Sequence, residues 1–341
     1  MKKILLIATG GTIACKTTEN GLTPLMSSEE LLSYVEAAKS FCTVDTVQIM
    51  NIDSTNMHPD DWVKIAAKVE ECYAAYDGFV IAHGTDTMAY TAAALSYLIQ
   101  DSFKPIVITG SQRPIEMDVT DAKTNLLDSL RYASWSKASG VNLVFGGKVI
   151  AGTRARKMNS KSFDAFDSIN FPNIAVIQDK GIVQYIKDDE NHNKPVFYHT
   201  MNPRVFVLKL TPGIDSSILT LIRDKYDAFV LESYGVGGIP EGEKYNFHEV
   251  LEELMKMGKT IVLSTQTVYE GSDITVYRSG HMAKEEFGVM EAYDMTPEAT
   301  VTKLMWILGQ TKDPQQIRQL FNTTIANDML SQEWEENFID G

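Results

Sequence analysis

The sequence predicts an α/β fold: a larger domain on a doubly wound, mainly parallel sheet, then a smaller α/β domain. Three observations carry this. Short apolar runs rich in Ile, Val and Leu alternate with longer stretches of helical period. The runs are continuous rather than alternating, as strands buried on both faces are. The chain has 341 residues, enough for about two domains at roughly 150 residues each. The alternation pauses at a polar, charged stretch, Lys187–Lys194, before it resumes. The expected division is therefore residues 1–190, a linker at 191–203, and residues 204–341.

The first strand is Ile4–Ala8, running into the turn Thr9-Gly10-Gly11-Thr12. The same stretch, MKKILLIATGGTIAC, could pass for a leader peptide, with two lysines, an apolar run and a cysteine. The apolar run ends at Ala8, short of the roughly 7–15 residues of a leader's apolar region. The segment is read as part of the fold, and the protein as not exported. A helix follows at Ser28–Ala38, with Ser27 or Ser28 to cap it and Glu29 and Glu30 in its first turn. The second strand is Thr46–Ile52. Pro59-Asp60-Asp61 opens a helix over Asp60–Ala75. Its Trp62, Ile65, Ala66, Val69 and Tyr73 recur at helical spacing, which marks a core stripe.

Strands Phe79–His83 and Ile106–Thr109 flank a helix at Met88–Leu98, and another helix spans Asp121–Trp135. Gly146-Gly147, between Val141–Phe145 and Lys148–Ala151, signals a hairpin. Asp179-Lys180-Gly181, between Ile174–Ile177 and Ile182–Ile186, signals a second. Past the linker come strand Val205–Leu210, helix Ser216–Lys225, strand Phe229–Glu232, helix Phe247–Met257, strand Ile261–Ser264 and a helical tail.

Composition excludes several classes. Lys and Arg number 31 against 45 Asp and Glu, a formal charge of −14, the wrong sign for a protein that grips phosphates. No run of 18 apolar residues is present to span a membrane. Cys15, Cys42 and Cys72 form no CxxC pair and no disulfide framework, which points to a reducing compartment. The histidines show no HExxH or paired spacing for a metal. GxGxxG is absent after the first strand, against a dinucleotide-binding oxidoreductase, and no GxSxG elbow occurs. No cofactor and no metal are expected.

Ligands of such sheets bind beyond the carboxyl ends of the strands. Four consecutive strand ends carry Gly10-Gly11-Thr12, Asp53-Ser54-Thr55, Gly84-Thr85-Asp86 and Gly110-Ser111-Gln112. The first has a bland reading, a glycine turn, and a functional one: a hydroxyl beside backbone donors is the raw material of acyl transfer. In His83–Met88, Asp86 or Thr87 could simply cap the next helix; alternatively Asp86 offers a fixed carboxylate to an amino group. His83 reads as a packed side chain. Lys157 ends the cationic cluster Thr153-Arg154-Ala155-Arg156-Lys157, either a solvated face or a group turned inward. A lysine beside a threonine hydroxyl can act as a base if its pKa is lowered.

TGGTIA at Thr9–Ala14 with HGTDTM at His83–Met88 resembles the two signature segments of bacterial-type L-asparaginases. Asn51–Met57, Asp164-Ala165-Phe166 and Leu304-Met305-Trp306 extend the resemblance over essentially the whole chain, and the absent leader is similar to the cytoplasmic, type I branch. The resemblance implies hydrolysis of L-asparagine to L-aspartate and ammonia, with sites carried by the first domain. It implies Thr12 as nucleophile, forming a β-acyl-enzyme, and Thr85 with Lys157 as the activating pair. Asp86 would hold the α-amino group, and Ser54, flanked by Asp53 and Thr55, the α-carboxylate. Backbone N–H groups near Gly11 and Thr85 would stabilise the oxyanion.

Many members place a tyrosine in the segment after TGGTIA; here Leu22 stands in that place, so Thr85 and Lys157, through a water, are expected to carry more of the activation. The segment Cys15–Leu25 is expected as a loop that closes over the site. A homodimer or homotetramer is implied, although Gly235-Val236-Gly237-Gly238, in the loop where residues of a partner chain complete the site of exported members, lacks their asparagine pattern. Some type I members also have an allosteric asparagine site. Competing readings are a dual asparaginase/glutaminase, an asparaginase-like component of an amidotransferase, which would want a further amino-terminal domain and a basic face, and a non-catalytic amino-acid-binding module.

Overall fold

The structure is a computed structural model that describes residues 1–18, 21–179, 181–187, 194–241, 247–276, 284 and 288–330. Its larger sheet has eight strands. In spatial order they are Gly181–Gln184, Ala175–Gln178, Lys148–Ala151, Val141–Phe145, Ile106–Thr109, Gly78–Ala82, Lys2–Gly10 and Cys42–Ile52. The last five are parallel; the other three, beginning with the hairpin at Gly146-Gly147, are antiparallel. The strand Lys2–Gly10 is almost wholly apolar from Ile4 onward because both its faces are covered. Leu5 and Ile7 point into one core with Trp62, Ile65, Phe79 and Leu95. Ile4, Leu6 and Ala8 point into a second with Leu31, Leu126 and Leu130.

A separate sheet of four parallel strands, Val205–Lys209, Ala228–Ser233, Thr260–Thr265 and Met290–Glu291, forms the smaller domain. The helices Met88–Leu98 and Pro297–Gln310 pack together across the two domains. Tyr97 stacks on Trp306 there with ring centroids 6.0 Å apart.

Three expectations change. The helix over Ser28–Ala38 is two pieces, Ser28–Ser33 and a 3-10 turn Glu36–Ser40. A capping box at Ser27 and Glu30 starts it as expected. Val35 and Ala38 are both buried, and the threefold repeat of a 3-10 turn puts residues three apart on one face. The strand read as Thr46–Ile52 begins at Cys42. It lies at the sheet's edge, where polar Thr43 and Asp45 are tolerated. The segment after Thr12 is not a loop: Cys15–Thr18 pairs antiparallel with Gly21–Pro24. Most of the polar stretch near 190 and the end of the tail lie outside the described residues.

Candidate active site

The carboxyl ends of the parallel strands meet through glycine. Gly11, at φ +79°, opens a 3-10 turn, Thr12–Ala14. A side chain on Gly11 would lie 2.3 Å from the backbone nitrogen of Gly84, and one on Gly84 would lie 2.6 Å from Ser54 Oγ. Real Cβ contacts essentially never fall below 3.0 Å. The two turns therefore touch backbone to backbone, with the Ser54 turn against them, and each places its threonine, Thr12 or Thr85, one residue later in the chain. Thr12 is half-buried.

Lys157 reaches this junction from a short hairpin, Ala155–Lys157 paired with Phe166–Ser168. Its Nζ donates to Thr85 Oγ1 at 2.8 Å and to Asp86 Oδ1 at 2.7 Å. The cationic cluster is thus turned inward: Lys157 is 18% exposed, and Arg154 is fully buried against Asp294 of the smaller domain. Asp86 is exposed apart from that contact. The capping reading fails in detail. Thr87 sits at the helix start without a capping bond, and its hydroxyl instead donates to Ser54 O at 2.8 Å, tying two strand ends together.

Ser54 is buried, whereas Asp53 and Thr55 are exposed. Asp53 Oδ1 accepts from the Thr55 nitrogen at 2.9 Å and its hydroxyl at 3.0 Å, which fixes the turn that holds Ser54. Cys15 lies just beyond Thr12. Burial, helped by the charge on Asp53, pushes its thiol up to about 11, so it stays a thiol and does not compete as a nucleophile.

His83 is packed, as its place at the end of an apolar strand predicts, but it is also wired. Trp62 Nε1 donates to Thr91 Oγ1 at 2.9 Å, so the Thr91 hydroxyl has its proton free for His83 Nε2, also 2.9 Å away. That leaves Nδ1 to donate to Gly84 O at 2.7 Å. Burial lowers its pKa to about 4.

One residue at the junction has no role in the sequence reading beyond its strand end: Gln112, whose Oε1 accepts from Thr85 Oγ1 at 3.2 Å. A Gly-Ser-Gln strand end is the signal that could have raised it. Among the described residues no group of His, Cys, Asp and Glu could hold a metal ion, and no helix is long and apolar enough to cross a membrane.

The chain matches the family description "Asparaginase, N-terminal" over residues 3–190 and "Glutaminase/Asparaginase C-terminal domain" over residues 204–321. It is 40% identical to an L-asparaginase of Thermococcus kodakarensis, over 96% of this chain and 99% of that one. It is 33% identical to a component of the glutamyl-tRNA(Gln) amidotransferase of Pyrococcus horikoshii, over 96% of this chain and 76% of that one. Among solved structures, the thermostable L-asparaginase from Thermococcus kodakarensis superposes with a TM-score of 0.91 at 39% identity, covering 97% of this chain and 100% of that one. A probable cytoplasmic L-asparaginase from Campylobacter jejuni gives 0.81 at 28% identity, covering 94% and 99%. Fold, junction and relatives define the class, the two-domain α/β amidohydrolases. Within that class, the chain belongs to the asparaginase family.

Proposed function

We propose that the protein hydrolyses L-asparagine to L-aspartate and ammonia through an acyl-enzyme on Thr12. The observation that carries this is the double contact of Lys157 with Thr85 and Asp86, beside the glycine junction that presents Thr12. Thr12 Oγ attacks the side-chain amide carbon, and its proton passes to the Thr85–Lys157 pair. The backbone N–H groups near Gly11 and Thr85 take the charge of the oxyanion. The amide nitrogen is protonated and leaves as ammonia. Water then attacks the ester, with Thr85 and Lys157 again handling its proton, and aspartate is released. Asp86 holds the α-amino group through its carboxylate. The Ser54 turn, with Asp53 and Thr55, receives the α-carboxylate.

The proposal extends to the setting. The domains divide as residues 1–190, which hold every catalytic group named, and 204–341, joined by 191–203. The protein works in the cytoplasm, as a homodimer or homotetramer. Ammonia release from L-asparagine by the wild type and by Thr12→Ala tests the reading. Loss of about 10²–10⁴-fold or more in kcat for Thr12→Ala is expected, the scale on which removing such a group acts. No release by the purified wild type sinks the proposal. L-glutamine belongs in the same panel, because one methylene in a pocket discriminates by only about 1–3 kcal/mol, and D-asparagine tests the configuration the site requires at the α-carbon.

A further inference from the structure

We propose that His83 is a positioning residue: it holds the Gly84–Thr85 peptide so that the Thr85 N–H faces the oxygen on which negative charge develops. The inference rests on the asparaginase reading above and gives one of its oxyanion donors a cause in the fold.

A trans peptide is planar, and its C=O and N–H point in opposite directions. Whatever fixes the Gly84 carbonyl therefore fixes the Thr85 N–H. The Gly84 carbonyl accepts from His83 Nδ1 at 2.7 Å. A carbonyl oxygen only accepts, so Nδ1 carries the proton, and in the neutral ring Nε2 is an acceptor. The Thr91 hydroxyl, 2.9 Å from Nε2, supplies the matching donor, and Trp62 Nε1 donates to the Thr91 oxygen, also at 2.9 Å. Thr91 lies on the helix Met88–Leu98 and Trp62 on the helix Pro59–Cys72. The imidazole is fully buried, and its orientation is referenced to two helices of the larger domain.

The peptide needs such a hold. Gly11 and Ser54 leave no room for a side chain on Gly84, and a glycine leaves its own torsions loose. Bulk cannot steer the peptide there, so a hydrogen bond does. On the other side of the same peptide, the Thr85 nitrogen donates to no acceptor among the described residues, although Thr85 is only 5% exposed. Buried N–H groups are nearly always paired. One held without a partner, beside the turn that carries Thr12, is a donor kept for an oxygen of the ligand. The Thr85 hydroxyl is already engaged with Lys157 and Gln112, which leaves the N–H for this task.

The test asks which ring nitrogen matters. The amide nitrogen of an asparagine side chain falls close to the place of Nδ1, and that of a glutamine, one carbon longer, close to the place of Nε2. His83→Asn therefore keeps the donor to the Gly84 carbonyl and loses the Thr91 contact; His83→Gln does the reverse. Steady-state ammonia release from L-asparagine is measured for wild type, both variants and Thr12→Ala, with thermal midpoints alongside. We expect His83→Gln to lower kcat about 10–100-fold, below the roughly 10²–10³-fold of a donor removed outright, because this one is only tilted. KM should stay within about threefold of wild type, since the contact strengthens in the transition state. His83→Asn should be at least about fivefold faster than His83→Gln, whichever of the two has the lower thermal midpoint.

A smaller difference between the variants, or losses of kcat that simply follow the thermal midpoints, would mean that His83 only fills space and would overturn the inference. A His83→Gln enzyme within threefold of wild type in kcat would overturn it too. In each case an active wild type and an inactive Thr12→Ala leave the asparaginase reading standing. An inactive wild type brings both down. If His83→Gln does not fold, His83→Leu, which has no donor, takes its place in the comparison. If His83→Asn does not fold, His83→Gln decides alone, and a change confined to KM overturns the inference.

Discussion

Lys157 Nζ makes two short contacts, to the hydroxyl of Thr85 and to the carboxylate of Asp86. Replacing it with methionine keeps the stem and removes both. We expect Lys157→Met to lower kcat by about 10²–10⁴-fold, the range for a lost proton-transfer group; near-wild-type ammonia release would show that Thr12 is activated by other means. A second residue-scale prediction concerns His83, whose folded pKa near 4 lies below an unfolded value near 6.5. The unfolded chain binds the proton first, so the stabilisation is complete above pH 6.5 and is lost as pH falls toward 4. Between pH 7.5 and 5 that amounts to about 2 kcal/mol. Urea titrations at both values should show a steeper loss for the wild type than for His83→Gln; parallel losses would show that His83 does not set the acid limit.

The strand ends work as a unit because two glycines let them touch. Gly84→Ala places a carbon 2.6 Å from Ser54 Oγ, and the shift it forces acts on both turns. We expect a loss of about 1–3 kcal/mol in stability, as for other overpacked sites. The activity loss should be larger, since displacing reacting groups by about 1 Å can cost about 100-fold. A variant that keeps full kcat would show that the Gly84–Ser54 approach is dispensable. This scale also shows what the sequence could tell. The four strand ends were legible because continuous Ile, Val and Leu runs mark buried strands, and a parallel sheet must put the loops after them together. Arg154 and Lys157 were legible only as alternatives, since a charge cluster reads equally as surface. The hairpin of Cys15–Thr18 and Gly21–Pro24 was not, because two short polar strands lack an apolar period. Nor was the bond from Gln112 to Thr85: the Gln112 amide also donates to the carbonyls of Asn159 and Ser162, some fifty residues further along the chain, whose position only the folded hairpin fixes.

At the scale of the molecule, buried charges tie the two domains and the tail. Arg154 of the larger domain donates to Asp294 Oδ2 at 2.8 Å and to the Asn327 carbonyl, while Asp294 Oδ1 accepts from the Leu330 nitrogen at 3.1 Å. Beside it, Lys303 and Asp328 form an ion pair at 2.7 Å with both side chains fully buried. Lys303 Nζ also reaches Thr323 O at 2.7 Å, and Asp328 accepts from Tyr97 OH and the Ile325 nitrogen. Burial lowers the Lys303 pKa, and the Asp328 charge works against that. A pair so well satisfied can be close to neutral in net stability, yet costly to break on one side, because the survivor is left charged and uncompensated. Asp328→Asn should therefore lose about 3–5 kcal/mol, read as a drop in the denaturant midpoint, and should expose residues 323–330 to limited proteolysis. The double variant Lys303→Met, Asp328→Asn should recover a large part of that loss, because no orphaned cation remains. Purely additive losses would mean that the two charges do not act as a pair and that residues 323–330 are held by their other contacts, among them those of Asn327 O with Arg154 and of the Leu330 nitrogen with Asp294.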